Sequence, residues 1–374
     1  MNKTKVAVLF GGVSSEHEVS LLTAASVLRN IDRQRWQVLA VGITRDGRWL
    51  LCHEDITPDA IADGSWEKDP DLCHVLLSPD RQHHGLILLD VPGGWWGSRV
   101  DVIFPALHGR NGEDGTIQGL ARLAGIPCVG CGVLSSALCM DKDMTKTVLT
   151  ARGIPNARWL AACREDRDDD ALAGKIGTEL GWPVFVKPAR AGSSVGVSRA
   201  EGPEGLAAAL DTAFAQDRKV IIEEAIRGAE VECAVIGNFR DPEAAPSLGE
   251  IVPKRDLYDY EGKYLDGSTD LYIPARIPGE QAEAIRRGAV EAYRALGCTG
   301  LARVDFFALP DGGYLLNEVN TLPGFTSISM YPKLMTAAGM TYSELLTRFI
   351  QLAIEPIQDL PAHRLGRSFS ALPR

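Results

Sequence analysis

The chain is short of positive charge and has no long hydrophobic run. Its 374 residues carry 39 Lys and Arg against 49 Asp and Glu, a formal net charge of -10. Proteins that grip a phosphate backbone rely on positive charge, so a nucleic-acid substrate is disfavoured. The longest weakly polar stretch, 124–140, is interrupted by Gly, Pro and Ser, and nothing reaches the roughly 20 apolar residues of a spanning helix. With no leader segment before the first strand, we expect a soluble, cytoplasmic protein.

Cysteine is also sparse. The eight cysteines are scattered along the chain, which favours reduced thiols that pack as small hydrophobic side chains. Cys128 and Cys131 have metal-ligand spacing, but a zinc site needs a second pair of soft ligands and none follows. The sequence therefore predicts core packing for these thiols.

The first block of the chain alternates strand-like and helix-like segments. Strands are expected at 5–10, 36–44, 100–105 and 127–129, and helices at 18–31 and 115–124. Ser15 and Glu18 have the spacing of a capping box at the first helix. Residues 52–98 show no sustained period, so we expect loops with short hairpin strands there and no site. The alternation predicts a parallel α/β domain over residues 1–141.

The remainder of the chain has the pattern of two α+β units. A helix at about 141–152 ends before Gly153 and Pro155, which marks a boundary. The predicted bounds are 142–224 for the first unit, 225–361 for the second, 254–271 for a polar loop within the second unit, and 362–374 for a frayed tail.

The segment 301–320 consists of two alternating apolar runs joined by a Gly-rich turn, which predicts a β-hairpin. If residues 311–312 form a two-residue loop, four polar side chains share one face of the hairpin. The cross-strand pairs are then Asp305 with Glu318 and Arg303 with Asn320.

Facing carboxylates repel each other unless something neutralises them. A hard cation with oxygen ligands, the type that Mg²⁺ prefers, would neutralise Asp305 and Glu318. A solvated outer face on which Arg303 compensates both acids explains the same pattern. A three-residue loop would break the facing and weaken the metal hypothesis.

Three glycine-rich segments could bind anions or substrates. Residues 192–196, five positions after Lys187, offer backbone N–H groups and hydroxyls to phosphates, or form an ordinary Gly/Ser turn. No G-x-x-x-x-G-K-[ST] motif occurs, so any ATP would need another scaffold. Gly324 can present a backbone N–H near the hairpin, as in an oxyanion hole. Residues 108–115 lie where open α/β sheets bind ligands, or form a tight solvated turn.

Five motifs, in order along about 5–355, resemble those of the D-alanine:D-alanine ligases of the ATP-grasp superfamily. The motifs are Gly11-Gly12-x-Ser14-x-Glu16-x-Glu18-Val19-Ser20, His108-Gly109 through Glu113-Asp114-Gly115, Met140-Asp141-Lys142, Lys187-Pro188 through Gly192-Ser193-Ser194-Val195-Gly196, and Asn317-Glu318-x-Asn320-Thr321-x-Pro323-Gly324. Five motifs in sequence are more specific than any one of them. The resemblance implies that units 142–224 and 225–361 are the central and C-terminal parts of an ATP-grasp fold, behind an N-terminal substrate-binding domain.

The resemblance also implies a reaction. ATP phosphorylates the carboxylate of a first D-alanine, and the amine of a second attacks the acylphosphate to give D-alanyl-D-alanine for peptidoglycan. It implies two Mg²⁺ or Mn²⁺ ions between the ATP phosphates, held by the acidic hairpin, and a homodimer. Charge neutralisation dominates such chemistry, because an anion attacks a polyanion and a tetrahedral oxyanion then forms.

The resemblance assigns roles to particular residues. The implied nucleotide-binding residues are Lys142, Lys187, Ser194, Glu223, Glu224, Ile226, Glu230 and Lys263. Among them, Lys142 and Lys187 would bind the ATP phosphates. Residues 223, 224 and 226 would line the adenine pocket, and Glu230 would hold the ribose. The implied metal ligands are Asp305, Glu318 and Asn320. The implied catalytic residues are Glu16, Ser193, Tyr264, Arg303 and Gly324, and those near the substrates are His108, Ser329 and Met330.

Within these sets, Glu16 would pair with the ammonium of the first D-alanine, while Arg303 and the Gly324 N–H would stabilise the tetrahedral intermediate. Residues 254–271 resemble a lid, in which Lys263 and Tyr264 close over the site and the tyrosine links through Ser193 to Glu16. A closed lid would exclude water from the acylphosphate.

Other functions share parts of this pattern. Vancomycin-resistance relatives join D-alanine to D-lactate or D-serine, and the region of Trp66 and 72–78 is similar to some D-serine-type members. Tyr264 argues against lactate, and 331–334 resembles the ordinary cell-wall enzymes, which favours D-alanine. A catalytically silent binding protein on the same scaffold is disfavoured, because it would not need Arg303 to stabilise an oxyanion. ATP-dependent carboxylation is disfavoured because the sequence has no biotin feature.

Overall fold

The computed structural model describes residues 3–90, 96–167, 170–253, 269–326 and 328–355. Within these ranges the chain forms three β-sheets of seven, four and six strands. Mixed helices and strands agree with the expected α/β and α+β classes. No helix in the described part of the chain is long and apolar enough to cross a membrane.

The first sheet has a parallel centre, as expected. Strand β1 (Thr4–Gly11) pairs in parallel with β2 (Trp36–Ile43) on one side. On its other side it pairs in parallel with the strand Val102–Pro105, which is the last strand of this sheet in chain order. The sheet continues beyond β2 through antiparallel strands β3 (Trp49–Leu51), β4 (Cys73–Leu77), β5 (Gly85–Leu88) and β6 (Trp96–Arg99), and Val102–Pro105 is β7. The short strands expected within 52–98 are therefore an antiparallel extension of the parallel centre. The short strand expected at 127–129 is reduced to a parallel bridge between Cys128 and Ile103, with Ile103 N donating to Pro127 O and Val129 N donating to Ile103 O.

Helices cover both faces of this sheet. They are α1 (His17–Asn30), α2 (Pro58–Ala62) and α3 (Thr116–Ala124). Alternate residues of β1 enter two cores: Val6 and Val8 pack with α1, whereas Ala7 and Leu9 pack in the cluster that contains Ile117 of α3. Burial on both faces explains why β1 is a continuous apolar run.

The second sheet is antiparallel and carries Lys187, Glu223 and Glu224 of the predicted site. Helices α4 (Val133–Met140) and α5 (Lys142–Ala151) lead into it, its strands are β8 (Trp159–Cys163), β9 (Val184–Pro188), β10 (Ser198–Ala200) and β11 (Lys219–Glu224), and α6 (Asp170–Glu179) and α7 (Pro203–Phe214) accompany them. The strand order is β10-β9-β11-β8. Gly153, with φ of 71°, follows the end of α5 as predicted.

The third sheet carries the acidic hairpin. Its strands are β12 (Ala229–Ile236), β13 (Glu243–Ala244), β14 (Gly249–Pro253), β15 (Thr269–Tyr272), β16 (Leu301–Ala308) and β17 (Tyr314–Asn320), and its helices are α8 (Gly279–Ala295), α9 (Met330–Ala337) and α10 (Tyr342–Ile354). The strand β12 lies between β14 and β16. The polar side chains of β16 and β17 are therefore flanked by those of β12.

The hairpin has the predicted pairs but not the predicted loop. Leu309 N donates to Gly313 O, at 2.9 Å, so residues 310–312 form a three-residue loop and the two-residue loop is wrong. One extra residue in β17, Asn317, then shifts the register between Asp305 and Phe306. This β-bulge offsets the longer loop and places Asp305 opposite Glu318.

The predicted capping box at α1 is also wrong. The helix is capped at Glu16 and shows no side-chain cap. Instead, Ser14 Oγ accepts a hydrogen bond from Glu16 N at 3.1 Å, and the Glu16 carboxylate accepts one from Ser193 Oγ in the second sheet's domain. The glutamate is thus committed to a long-range contact rather than to its own helix.

We predict that Gly42→Ala destabilises the first sheet. Trp66 is fully buried and its ring lies where a Cβ at Gly42 would stand. Overpacking of this kind costs about 1–3 kcal/mol, which a urea unfolding curve measures. Gly119→Ala in α3 is the matched control, because its Cβ would meet nothing within 4 Å, and it should stabilise by roughly 0.5–1 kcal/mol. Equal midpoints for Gly42→Ala and the wild type would contradict the packing described here.

Candidate active site

One cavity of about 640 Å³ is lined by residues of the second and third sheets and by residues that follow strands of the first sheet, such as Glu16 and His108. Every predicted site residue in the described part of the chain lines it. They are Glu16, His108, Lys142, Lys187, Ser193, Ser194, Glu223, Glu224, Ile226, Glu230, Arg303, Asp305, Glu318, Asn320, Gly324, Ser329 and Met330. Lys263 and Tyr264, and with them most of the predicted lid 254–271, lie outside the described residues. The motifs that are far apart in sequence therefore converge on a single space.

The acidic hairpin forms one wall of this cavity. Arg303 donates from Nε and Nη2 to the two carboxylate oxygens of Asp305, at 2.8 Å each. Burial opposes the charge of Arg303, but Asp305 and Glu232 outweigh burial and raise its pKa well above the ordinary range. Asp305 is only 8% exposed, so the pair is not on a solvated outer face. The compensation of Asp305 by Arg303, which the alternative hypothesis required, is nevertheless present.

Glu232 is a member of this wall that sequence reasoning missed. It lies on β12 directly opposite Asp305, is buried, and its Oε2 is 3.1 Å from Arg303 Nε. The available signal was the alternation of Glu230 and Glu232 in an otherwise apolar strand. Three carboxylates, counting Glu318, thus surround one guanidinium.

The predicted metal ligands have suitable chemistry. Asp305 and Glu318 face each other and Asn320 follows two residues later on the same strand, which supplies two carboxylates and an amide oxygen to a hard cation. Among the described residues, no group of three or more His, Cys, Asp and Glu side chains that could hold a metal ion is found. The predicted ligand set contains only two such side chains, because its third member, Asn320, is an amide. Metal binding at this hairpin therefore stays a prediction.

A lysine-rich cluster lies at a second wall of the cavity, where Lys187 lines the space. Lys187 Nζ binds Glu223 Oε2, while Lys146 Nζ binds Glu223 Oε1 at 2.8 Å. Burial opposes the charge of Glu223, but Lys187 and Lys146 outweigh burial and lower its pKa to about 2. Burial also opposes the charge of Lys187, and Glu223, followed by Glu318 and Glu230, raises its pKa. Glu223 was expected to line the adenine pocket, and its carboxylate is in addition a bridge between two ammonium groups.

Two other residues predicted to bind the nucleotide are held by local contacts. Lys142 Nζ donates to the carbonyl of Ala191 at 2.7 Å, next to the turn 192–196. The Glu224 carboxylate accepts from Arg158 N and Arg158 Nε, at 2.8 Å each. With these contacts at its carboxylate, Glu224 offers the cavity mainly its backbone.

The Gly/Ser turn contacts the first domain. Ser193 and Ser194 have φ of 51° and 58°, a conformation that presents successive groups to one side. Ser193 Oγ donates to Glu16 Oε1. A Cβ at Gly109, where φ is 65°, would overlap the other oxygen of Glu16, so glycine is needed there. The predicted contact between Ser193 and Glu16 is present, while its continuation to Tyr264 lies outside the described residues.

His108 is positioned by two residues that were given no role from the sequence. Its Nε2 is 2.8 Å from Thr23 Oγ1 and its Nδ1 is 3.3 Å from Glu113 Oε1. Burial raises the pKa of Glu113 to about 7, and the nearby Glu16 adds to the rise against the opposing effect of His108. Both ring nitrogens of His108 thus already have partners in the protein.

The segment after the hairpin completes the cavity. Ser329 Oγ accepts from Thr326 N at 3.1 Å, and a Cβ at Gly324 would lie 3.0 Å from Ser329 Oγ. The Met330 sulfur packs where a Cβ at Gly249 would stand. The side chain of Met330 is therefore part of the core, and its backbone at the start of α9 is what a ligand could reach.

Two protein-family sequence models match the chain. The N-terminal one, described as D-ala D-ala ligase N-terminus, matches residues 5–131. The C-terminal one, described as D-ala D-ala ligase C-terminus, matches residues 148–351. Together they cover both the first sheet and the two sheets that form the cavity walls.

Individual relatives match over nearly the whole chain. A protein named D-alanine--D-alanine ligase from Caldicellulosiruptor bescii is 48% identical, covering 95% of this chain and 96% of its own. One with the same name from Deinococcus radiodurans is 48% identical, covering 94% of this chain and 99% of its own. The crystal structure of VanG D-Ala:D-Ser ligase from Enterococcus faecalis has a TM-score of 0.85 at 40% identity, covering 94% of this chain and all of that one, 100%. The D-alanine-D-alanine ligase from Coxiella burnetii has a TM-score of 0.79 at 33% identity, covering 94% and 95%.

The lowered pKa of Glu223 predicts a pH dependence of stability. Because this pKa falls from 4.5 to about 2 on folding, the charged carboxylate adds stability above pH 4.5 that is lost as the pH falls toward 2. The unfolding midpoint of Glu223→Gln should lie below that of the wild type at pH 6, and the gap should narrow between pH 4.5 and 3. Glu204→Gln, on an exposed position of α7, is the control. A gap that does not change with pH would contradict the ion-pair assignment.

Proposed function

The chain belongs to the D-alanine–D-alanine ligase family, and from that membership we propose that it joins two D-alanines to D-alanyl-D-alanine at the cost of ATP. The proposed route runs through an acylphosphate, and the product would serve peptidoglycan precursor synthesis. The observation that carries this proposal is the convergence of all described site residues, which come from all five motifs and the segments near them, on one cavity. A protein with scattered motifs would not support it.

The lysine-rich wall suits the nucleotide. Lys142 and Lys187 both line the cavity, and a polyphosphate needs positive groups close to its transferred phosphoryl. The turn with Ser194 would add backbone N–H groups. Ile226 and the backbone of Glu224 would accommodate the adenine together with Glu223, and Glu230 on β12 would hold the ribose.

The acidic wall suits divalent ions. Asp305, Glu318 and Asn320 would hold one or two Mg²⁺ or Mn²⁺ ions, which in such sites neutralise phosphate oxygens and orient them. Arg303 now occupies both oxygens of Asp305. An ion at Asp305 would therefore have to share that carboxylate, and the guanidinium would turn toward charge that develops in the cavity.

The substrates fit between the two walls. Glu16 would accept the ammonium of the first D-alanine, at a position fixed by Ser193 and by the backbone of Gly109. The Gly324 N–H and Arg303 would stabilise the tetrahedral oxyanion. Ser329 and the backbone of Met330 would contact the second amino acid, and His108, oriented by Thr23 and Glu113, would lie near the first.

The predicted lid remains part of this proposal. Residues 254–271, with Lys263 and Tyr264, would close over the cavity and keep water from the acylphosphate. The domain bounds at 141 and 224, a homodimer and a cytoplasmic location likewise stay predictions.

A second candidate is ligation of D-alanine to D-serine. It is favoured by one observation, the TM-score of 0.85 with VanG D-Ala:D-Ser ligase. The test is phosphate release with D-alanine alone and with D-alanine plus D-serine or D-lactate, with the product identified by mass spectrometry. D-Alanyl-D-alanine as the main product supports our choice, whereas a strong preference for a mixed pair would replace it.

We predict that Glu318→Gln abolishes turnover and leaves the fold intact. The substitution removes one of the two proposed carboxylate ligands, so Mn²⁺ affinity in the presence of ADP should fall by at least roughly 100-fold, the upper range for losing a group that merely orients a metal ligand. Electron paramagnetic resonance measures the bound Mn²⁺, and ADP formation that depends on D-alanine measures turnover. Glu291→Gln, an exposed residue of α8, should match the wild type in both assays. Near-normal activity of Glu318→Gln would remove the metal assignment.

A further inference from the structure

We propose that Lys146 is a positioning residue for the nucleotide: it supplies the counter-charge of Glu223 and so leaves the charge of Lys187 available to phosphate. The inference rests on the proposed function, which brings ATP to Lys187. Lys146 belongs to none of the predicted sets of site residues.

The location of Lys146 excludes direct contact with a ligand. Its side chain is 2% exposed, and it is not among the residues that line the cavity. Its Nζ lies 2.8 Å from Glu223 Oε1 and donates to the carbonyl of Ala157 at 3.1 Å. A buried ammonium is costly unless it is paired and hydrogen-bonded, and these two partners satisfy it.

The Glu223 carboxylate connects Lys146 to the cavity. One oxygen binds Lys146 and the other binds Lys187, whose side chain is 17% exposed and lines the cavity. Counted by themselves, Lys146, Glu223 and Lys187 carry a net charge of about +1. That surplus stands on the side of Lys187, which faces the space proposed for the phosphates.

Without Lys146 the charge balance would change. Glu223 would then neutralise Lys187 one to one, and attraction between two desolvated charges is strong in a low-dielectric interior. A phosphate would have to compete with Glu223 for the same ammonium. Nucleotide affinity should therefore depend on a lysine that the nucleotide never touches.

The surroundings of Lys146 hold it in place. Its Nζ lies 5.7 Å from the centroid of the Trp159 ring, close enough for a cation–π contact. Trp159 is the cross-strand partner of Glu223, and its Nε1 donates to Asp143 Oδ1 at 2.9 Å. Lys146 thus stands over the strand pair that carries the carboxylate it neutralises.

The first test compares single variants of the full chain. Lys146→Met keeps the length of the side chain and removes its charge, and it should raise the KM for ATP and the Kd for Mg-ADP by roughly tenfold or more, with the KM for D-alanine little changed. Lys146→Arg, which keeps the charge, should lie between Lys146→Met and the wild type. Lys219→Met is the control, because Lys219 binds Asp141 and Asp143 and not Glu223, so it removes an ion pair at the same helix.

The second test is a double-variant cycle with Glu223→Gln. Once Glu223 is neutral, Lys146 has no carboxylate to share with Lys187, so Lys146→Met should change the Kd for Mg-ADP by less than about twofold in that background. A structural role would give the opposite result, a further loss in the double variant. If Lys146→Met alone does not fold, the double variant, which leaves no unpaired buried carboxylate, is compared with Glu223→Gln, and a further loss in the Kd for Mg-ADP of more than about twofold overturns the role of Lys146.

The outcomes separate the two proposals. A wild-type protein that binds Mg-ADP but forms no ADP from ATP with D-alanine overturns the proposed function. An unchanged Kd for Mg-ADP in Lys146→Met, or an equal loss in both backgrounds of the cycle, overturns the role of Lys146. A tenfold loss that disappears with Glu223→Gln supports it.

Discussion

Two walls of opposite charge line one cavity, and the site is stable only because the buried charges of each wall are paired. Asp305 and Glu318 face each other across a hairpin, close to Glu232, and the lysine-rich cluster comes from α5 and β9. Each wall contains one residue of the opposite charge that forms ion pairs with two of its neighbours. Arg303 pairs with Asp305 and Glu232 among the acids, and Glu223 pairs with Lys146 and Lys187 among the lysines. Buried charges of this kind are tolerated only when paired. The net charges of the two walls, one negative and one positive, are presented to the cavity, where a polyanion with its cations would fit.

The two walls are held by different kinds of structure. The acids lie on adjacent antiparallel strands, whose spacing is fixed by backbone hydrogen bonds. The lysines come from a helix, α5, and a strand, β9, joined by the Glu223 bridge. Glu16 then ties the first domain to the turn 192–196 through Ser193. The predicted site residues therefore reach one cavity from the second and third sheets and from the segments that follow strands of the first sheet, as expected where binding residues gather on a rigid scaffold.

Much of this arrangement could be predicted from local patterns. Period-2 alternation identified the hairpin and its facing acids, and the sequence Gly153 with Pro155 marked the end of α5. The loop length could not be predicted, because Asp311-Gly312 suits a two-residue turn and the bulge at Asn317 that offsets the three-residue loop leaves no local signature. Helices α4, α6 and α9 were missed because their apolar positions reflect tertiary burial rather than a clear period.

The site residues that were not predicted from the sequence all contact a residue that was predicted. Lys146, Glu232, Glu113 and Thr23 act through a residue that was recognised, and their roles arise only when distant elements meet. Lys146 had one sequence signal, its spacing of four from Lys142 on a helix, and Glu232 had its alternation with Glu230. The pairing of Lys146 with Glu223 joins residues 77 apart (223 minus 146) in the sequence, so no local pattern contains it.

Anomalous diffraction from crystals grown with ADP, Mn²⁺ and a phosphinate mimic of the tetrahedral intermediate would locate metal ions at the hairpin. We expect manganese peaks between Asp305 and Glu318, with carboxylate oxygens at roughly 2.0–2.2 Å, as for a small hard cation, and with the nucleotide phosphates between the ions and Lys187. Peaks elsewhere, with Asp305 bound by Arg303 and Glu318 turned away, would show that the acidic hairpin does not hold the metal ions.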